Sequence, residues 1–315
     1  VPRIYEKVYS NFKSAIDSKA ILKYGLHIPG LSTLLKKKLK AAAGFSNVTY
    51  AISGAAPINP DILTLFQFLG IPLFEGYGLT ESTAGASLNY GLHNKIGSVG
   101  KLFPDTKAKI NDDGEILLQG RHIMKGYYKN EKASNESLVD GWFLTGDVGK
   151  IDNDGFLYIT GRKKEIYVSS AGKNIAPLVI EETMKSIPIV SQCFLVGDNR
   201  NYCTALFTLD VGAILRDKIG MDATIIPKDP IKQLQTLKEN GFELVDFTNS
   251  DEIKKEMQDQ VDILNLKFSN PEQLKKFSIL SRDFTIDDAE LTPTLKIRRK
   301  QISENWKKEI ELMYR

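Results

Sequence analysis

The stretch from residue 47 to residue 78 constrains the fold more than any other. NVTYAIS at 47 to 53 is a short apolar run that ends in the turn GAAP. Asn59 then offers a helix N-cap, with Pro60 at the first helical position, where a missing N–H costs nothing. The apolar residues of DILTLFQFL follow, Gly70 closes the helix, and IPLFEGYG reads as the next strand and turn. Strand, helix and strand joined by short loops predict a parallel α/β arrangement, in which ligands bind beyond the carboxyl ends of the strands.

Upstream, Ile4, Val8, Phe12, Ala15 and Ile16 form one apolar stripe at helical spacing, and Leu31, Leu34, Leu35 and Leu39 form another. Both predict packed helices. From about 95 to 161 the texture changes to short strand candidates, TKAKI, EILLQG and GFLYIT, separated by DDG, NDG and DG turns. This predicts a small antiparallel, barrel-like β region. After Arg162 helices and strands alternate again: a helix over 177–186, a hairpin over 189–209, helices near 211–219, 230–239 and 251–265, and a last helix from about 298. On that last helix Ile302, Trp306, Ile310 and Met313 share a face. The fold class is thus α/β plus β: a partial parallel α/β subdomain at 1–94, the β subdomain at 95–161, and a separate α+β domain at 162–315, with the boundary at 162–165.

A chain of 315 residues exceeds the size at which one core usually keeps growing, which agrees with two or three domains. Hydrophobic content of 42% with 26% charge is that of a globular protein, and no apolar stretch reaches the ~20 residues of a membrane-spanning helix. No basic-then-apolar leader opens the chain. Lys and Arg number 42 against 39 Asp and Glu, too balanced for a protein whose main work is neutralising nucleic-acid phosphates. Cys193 and Cys203 lie on the two arms of the hairpin around GDNRN. With Val196 facing Tyr202, Cys193 falls opposite Ala205, so no disulfide is expected, in keeping with a reducing cytosol.

Four short motifs follow one another along the chain: FEGYGLTES at 74 to 82, GWFLTGD at 141 to 147, YITGRKKE at 158 to 165 and LTPTLKIRRK at 291 to 300. In this order they resemble the adenylate-forming, AMP-forming acyl-CoA synthetases, and the resemblance covers nearly the whole chain. The Ser/Thr/Gly-rich phosphate loop ending in Pro-Lys that this family carries upstream has no counterpart here, so the chain resembles the C-terminal part of such an enzyme. Thr-Leu before Lys296, SSAGKNIAP and the opening PRIYEKVY resemble the long-chain fatty acid group. The resemblance implies ATP, Mg2+ and coenzyme A as cofactor and co-substrates, a fatty acid as substrate, and a mobile C-terminal lid domain at 162–315 with its hinge near 162–165.

Chemistry suits several of these residues to such roles. Thr80 and Glu81 close the GYGLTE turn, and one carboxylate beside a phosphate-binding hydroxyl suffices for Mg2+, which keeps phosphate oxygens and waters as its other ligands. The ordinary alternative is a capped helix start with a dipole-favoured Glu. The resemblance assigns Glu81 to Mg2+ and Thr80 to the ATP α-phosphate. It implies that Tyr77 stacks on adenine beside the Glu75–Gly76 backbone, with Gly54, Ala55 and Ala56 as the opposite wall and Ile159 also at the nucleotide. It assigns Asp147 and Arg162 to the ribose; a carboxylate accepts from two vicinal hydroxyls, and a guanidinium offers a rigid fork of donors. Taken singly, Tyr77 reads as a buried aromatic, Asp147 as a turn cap and Arg162 as half of a surface ion pair. Lys164 stands at the family's hinge position, Gly172 where the pantetheine arm passes, and Lys296 at the position of the catalytic lysine, whose ammonium stabilises charge gathering on the phosphoryl oxygens.

The missing segment predicts that this chain alone does not catalyse the full reaction. It also predicts an exposed sheet edge or apolar face that drives pairing between copies. LLKKKLK at 34 to 40 reads as a solvated helix face, with peripheral contact to an anionic membrane as the alternative, and the expected location is cytoplasmic. His27, His93 and His122 show no metal spacing and read as structural. Two other functions stay open: adenylation for another acceptor such as a carrier-protein phosphopantetheine, and a nucleotide-binding module without catalysis.

Overall fold

The computed structural model describes residues 2–169, 172–223, 225–293 and 295–315. They divide into two compact units, Val1–Lys164 and Glu165–Arg315.

In the first unit, helices α1 (Pro2–Ser18), α2 (Ala20–Gly25) and α3 (Leu31–Ala42) precede strand β1 (Ala51–Ser53), helix α4 (Pro60–Phe68) and strand β2 (Leu73–Tyr77). The Asn59 side chain accepts from the Asp61 N–H at 2.8 Å and starts α4 as its sequence requires. Strands β1 and β2 pair in parallel, Ala51 opposite Leu73. β1 is shorter than the apolar run suggested, because its next partner would be Pro72, which has no N–H to donate. Phe66 of α4 is fully buried, with the rings of Tyr5, Phe12 and Phe45 edge-on at 5.9, 5.8 and 5.7 Å. The two helical stripes are only partly right: Phe12, Leu35 and Leu39 are buried, but Ile4 and Leu34 lie exposed. Two lysines of LLKKKLK fold back onto the protein, Lys36 over the Phe68 ring at 4.0 Å and Lys40 donating to the Gly70 carbonyl at 2.9 Å.

Strands β3 (Ser87–Leu88) and β4 (Lys101–Leu102) extend this sheet in antiparallel fashion, giving the order β1-β2-β3-β4 with β1 at one edge. A second, antiparallel sheet holds β5 (Lys107–Ile110), β6 (Glu115–Gln119), β7 (Leu138–Val139), β8 (Trp142–Ile151) and β9 (Leu157–Arg162), with helix α5 (Glu131–Ser137) before β7. β8 has β6 along one side and shares the other between β7 and β9. The expectation of a barrel-like region gives way here. Among the described residues the sheet stays open, since β7 and β9 each cover only part of one edge and neither pairs with β5.

In the second unit, β10 (Tyr167–Val168) and β11 (Asn174–Ile175) form a small hairpin ahead of helix α6 (Pro177–Met184). The main sheet is β12 (Val190–Val196), β13 (Cys203–Leu209) and β14 (Leu274–Ile279), with α7 (Val211–Asp217), α8 (Pro230–Glu239), α9 (Leu244–Thr248) and α10 (Asp251–Asn265) between the last two strands. β13 is buried at every residue because both sheet faces are covered. Cys193, Leu195 and Phe207 face Ile180, Met184, Met257 and Val261, while Phe194 and Leu206 face Ile302, Ile310 and Met313 of the last helices.

Three expectations for this unit need correction. The hairpin register is two residues off: Val196 faces Thr204 and Cys193 faces Phe207, because Tyr202 leaves the ladder to stack on Tyr314 at 5.1 Å and donate to the Met313 carbonyl at 3.0 Å. Both cysteines are nonetheless buried and free, and burial pushes the Cys203 thiol up to about 11. The strand β14 was not foreseen. The last helix is two, α11 (Arg299–Asn305) and α12 (Lys307–Met313), broken at Trp306, whose indole N–H donates to the Glu290 carboxylate at 2.8 Å. Among the described residues no helix is long and apolar enough to cross a membrane.

Candidate active site

β2 ends at Tyr77, and its hydroxyl donates to Asp147 Oδ2 at 2.6 Å although 70 residues separate them. Asp147 sits on β8 directly opposite Arg162 on β9, and Arg162 Nε stands 3.1 Å from Asp147 Oδ1. The carboxylate is 3% exposed and its own N–H donates to Thr145 Oγ1 at 3.0 Å, while the Thr145 hydroxyl is held by the Ile116 carbonyl at 2.7 Å. Burial, followed by the negative charge of Asp147, pushes the Tyr77 phenol far above its ordinary value, so it remains a donor. A carboxylate thus oriented, beside a half-exposed guanidinium whose terminal nitrogens have no partner among the described residues, suits a vicinal diol.

The SGAAP turn packs directly on β2. A Cβ on Gly54 would lie 3.2 Å from the Gly76 carbonyl oxygen, and the buried Glu75 side chain reaches the Ile58 N–H at 3.4 Å. Ala55, an exposed residue at φ +69°, holds the left-handed conformation that costs a non-glycine residue about 1 kcal/mol or more. Ala56 beside it is exposed. The glycines of GYG are required by the chain's own packing: a Cβ on Gly76 would meet Leu88 at 2.9 Å, and one on Gly78 the Ala84 carbonyl oxygen at 2.3 Å.

A short 3-10 turn, Thr80–Ser82, follows β2. Its cap is Leu79, not Thr80, and the Leu79 N–H donates to Ser82 Oγ at 2.9 Å. Thr80 is exposed, and no side chain among the described residues partners its hydroxyl. Glu81 Oε1 accepts from the Tyr127 hydroxyl at 2.8 Å, and the Glu81 carbonyl accepts from the Met124 N–H at 2.7 Å. The other carboxylate oxygen has no partner among the described residues. This donor set fits Mg2+ as a one-carboxylate site completed by phosphate and water; among the described residues no group of three or more His, Cys, Asp or Glu could hold a metal by itself.

Gly54, Ala55, Glu75, Gly76, Tyr77, Asp147 and Arg162 therefore lie on contacting segments of the first unit, and Thr80 and Glu81 continue the same strand end. Ile159 pairs with Gly149 and packs on the apolar cluster that also receives Tyr77. Lys164, exposed, closes this unit, one residue after Lys163, which is clamped by Asp113 at 2.5 Å and by the buried Glu115 at 2.8 Å. Gly172 and Lys296 belong to the second unit. Lys296 is exposed on a loop closed by a Leu291–Ile297 bridge, its N–H donating to Thr292 Oγ1 at 3.0 Å and its carbonyl accepting from the Thr292 N–H at 2.8 Å.

Residues 1–128 match the family described as AMP-binding enzyme, and the whole chain aligns with long-chain-fatty-acid–CoA ligases. It is the segment 1–128 that resembles AMP-binding enzymes. The chain is 37% identical to a long-chain-fatty-acid–CoA ligase of Mycobacterium tuberculosis over 100% of its own length and 54% of that protein, and 31% identical to one of Xenopus laevis over 100% of its length and 47% of that protein. It spans about half the length of these relatives. Among solved structures, the adenylation domain of a carboxylic acid reductase from Segniliparus rugosus, in complex with AMP and a carboxylic acid, superposes with a TM-score of 0.72 at 20% identity over 99% of this chain and 46% of that one. The o-succinylbenzoate CoA synthetase of Bacillus subtilis gives a TM-score of 0.58 at 22% identity over 84% of this chain and 49% of that one. These two establish the fold.

Some residues of the candidate site carry no signal in the sequence. Tyr127 lies in GYYKN, 46 residues from Glu81, and Thr145 lies inside GWFLTGD, where the resemblance assigns a role only to Asp147. Glu115, which accepts from the Gly146 N–H at 2.8 Å and holds Lys163, is only the first residue of the strand candidate EILLQG in the sequence. Only the fold brings these groups to their partners.

Proposed function

We propose that the complete enzyme is an AMP-forming long-chain fatty acid:CoA ligase. Tyr77 takes the adenine face, with Gly54, Ala55, Ala56 and the Glu75–Gly76 backbone around it and Ile159 alongside. Asp147 and Arg162 take the ribose hydroxyls, and Thr80 the α-phosphate. Mg2+ held by the free oxygen of Glu81 supplies neutralisation of phosphate charge. The fatty carboxylate attacks the α-phosphorus, pyrophosphate leaves, and Lys296 stabilises the charge gathering on the phosphoryl oxygens. The thiol of CoA then attacks the acyl carbonyl, forming the thioester and releasing AMP. Backbone rotation at Lys164 lets the second unit serve the first step through Lys296 and the second through Gly172.

The observation that supports this reading best is the Tyr77–Asp147–Arg162 cluster at the carboxyl end of a parallel strand pair, where α/β sheets bind ligands. The names of the relatives favour a long-chain acid and CoA as acceptor. The present chain by itself is proposed not to complete the reaction, since no phosphate loop stands upstream of its motifs. In the complete enzyme, AMP and pyrophosphate release should depend on fatty acid and fall roughly 100-fold or more in Lys296→Ala. Undiminished release in that variant would overturn the assignment of Lys296.

A further inference from the structure

Three residues after Lys296, Arg299 turns its guanidinium into the second unit. Nη2 meets Glu181 Oε2 at 2.6 Å and Nη1 meets Glu181 Oε1 at 2.9 Å, a bidentate pair in which the Glu181 side chain is 4% exposed. Nη1 also donates to the Tyr167 hydroxyl at 3.1 Å, and Nε approaches Glu165 Oε2 at 3.4 Å. The acceptors are themselves fixed, because Glu181 Oε1 takes the Leu195 N–H at 2.7 Å and the Tyr167 hydroxyl donates to the Leu195 carbonyl at 2.8 Å. One guanidinium therefore joins α6, β10, β12 and Glu165, the first residue after Lys164.

The same residue anchors the lysine loop. Arg299 is the first residue of α11, Arg298 N–H donates to the Glu290 carbonyl at 2.8 Å, and Ile297 packs on Phe194 and its neighbours while bridging Leu291. Lys296 thus precedes an outgoing limb held by the Ile297 packing, the Arg298 N–H and the buried Arg299 side chain, and only the last of these ties it to Tyr167 and Glu165. A lysine in that place would carry the charge without the planar fork that spans three acceptors. The ion pair alone says little about stability, since burying two charges offsets most of their attraction.

We propose that Arg299 is a positioning residue that makes the Lys296 loop move as one body with the residues immediately after Lys164. This rests on the reading of Lys296 and Lys164 given above. Catalytic groups misplaced by about 1 Å lose roughly 100-fold in rate, so a loosened loop reads out in turnover rather than in nucleotide affinity.

The test uses the complete enzyme with Arg299→Lys, Glu181→Gln and the milder Tyr167→Phe. Arg299→Lys should lower kcat of adenylation about 10- to 100-fold with KM for ATP within about threefold of the parent, and Tyr167→Phe should lower it by a smaller factor. In a Lys296→Ala background Arg299→Lys should cost less than about twofold more, because its effect passes through the missing ammonium. An equal fractional loss in both backgrounds, or a loss that merely tracks the folded fraction in thermal melts, overturns the proposal. Amide exchange on the chain itself separates this failure from that of the functional reading. Residues 291–298 should exchange faster in Arg299→Lys; unchanged exchange removes the positioning role whatever Lys296 does. Full activity of Lys296→Ala removes both readings, even if exchange rises.

Discussion

The Tyr77–Asp147 hydrogen bond and the Arg162–Asp147 ion pair share one carboxylate, yet should differ several-fold in energy. The Tyr77 hydroxyl donates at 2.6 Å to a carboxylate that is 3% exposed, and a hydrogen bond to a charged group in such a place contributes about 1.5–3 kcal/mol. The Arg162 side chain is 51% exposed, so water replaces most of what its pairing offers, and pairs of that kind contribute about 0–1 kcal/mol. A double-mutant cycle of Tyr77→Phe with Asp147→Ala should return a coupling of about 1.5–3 kcal/mol, and one of Arg162→Ala with Asp147→Ala under about 1 kcal/mol. Hydrogen exchange of the β6, β8 and β9 amides reads these as opening constants, so the first coupling corresponds to roughly a 10- to 150-fold change. Wild-type exchange in Tyr77→Phe, or a larger coupling for Arg162 than for Tyr77, would refute the claim that burial ranks the two contacts. If the ranking holds, Arg162 is the member free to leave Asp147 for a ligand.

Two further outcomes follow from the fold. Glu290 is fully buried; desolvation opposes its charge, but Arg282 at 2.7 Å, Asn305, the Thr285 N–H and the Trp306 indole hold its carboxyl below the ordinary value. A depressed folded pKa contributes stability above the unfolded value, near 4.3 for Glu, and that stability is lost as pH falls through the folded value. Urea unfolding followed by Trp306 emission in a Trp142→Phe background should therefore show the second unit weakening below about pH 4, with a shallower slope in Glu290→Gln; an unchanged slope contradicts this. Among the described residues the outer edge of β1 has no partner strand and Ile52 on it is exposed, so the chain alone should elute from gel filtration above its monomer mass; a monomer contradicts it.

The parallel β1–α4–β2 unit was legible because local chemistry specifies it: Asn59, Pro60 and Gly70 each satisfy a backbone demand within a few residues. The hairpin of β12 and β13 was legible in existence but not in register, since Tyr202 follows a stacking partner 112 residues away rather than the ladder. The same limit applies at the candidate site. Motif order pointed to Tyr77, Asp147 and Arg162, and they meet, but nothing local names Thr145 or Glu115 as their supports, or Tyr127 as the partner of Glu81. Nothing in LTPTLKIRRK sets Arg299 apart from its basic neighbours, yet Arg299 is largely buried on Glu181, 118 residues earlier. Break points escaped notice too: Trp306 interrupts its helix because Glu290 accepts from its indole, a tertiary contact that helical periodicity does not encode.

The central claim is that Tyr77, Asp147 and Arg162 hold the nucleoside of a bound adenylate. A crystal structure of the complete enzyme with AMP tests it most directly. The account predicts the ribose hydroxyls within hydrogen-bond distance, about 2.6–3.2 Å, of the Asp147 carboxylate and the Arg162 guanidinium, with adenine stacked on the Tyr77 ring. AMP bound with its ribose away from Asp147, leaving the Tyr77 and Arg162 contacts undisturbed, would contradict it.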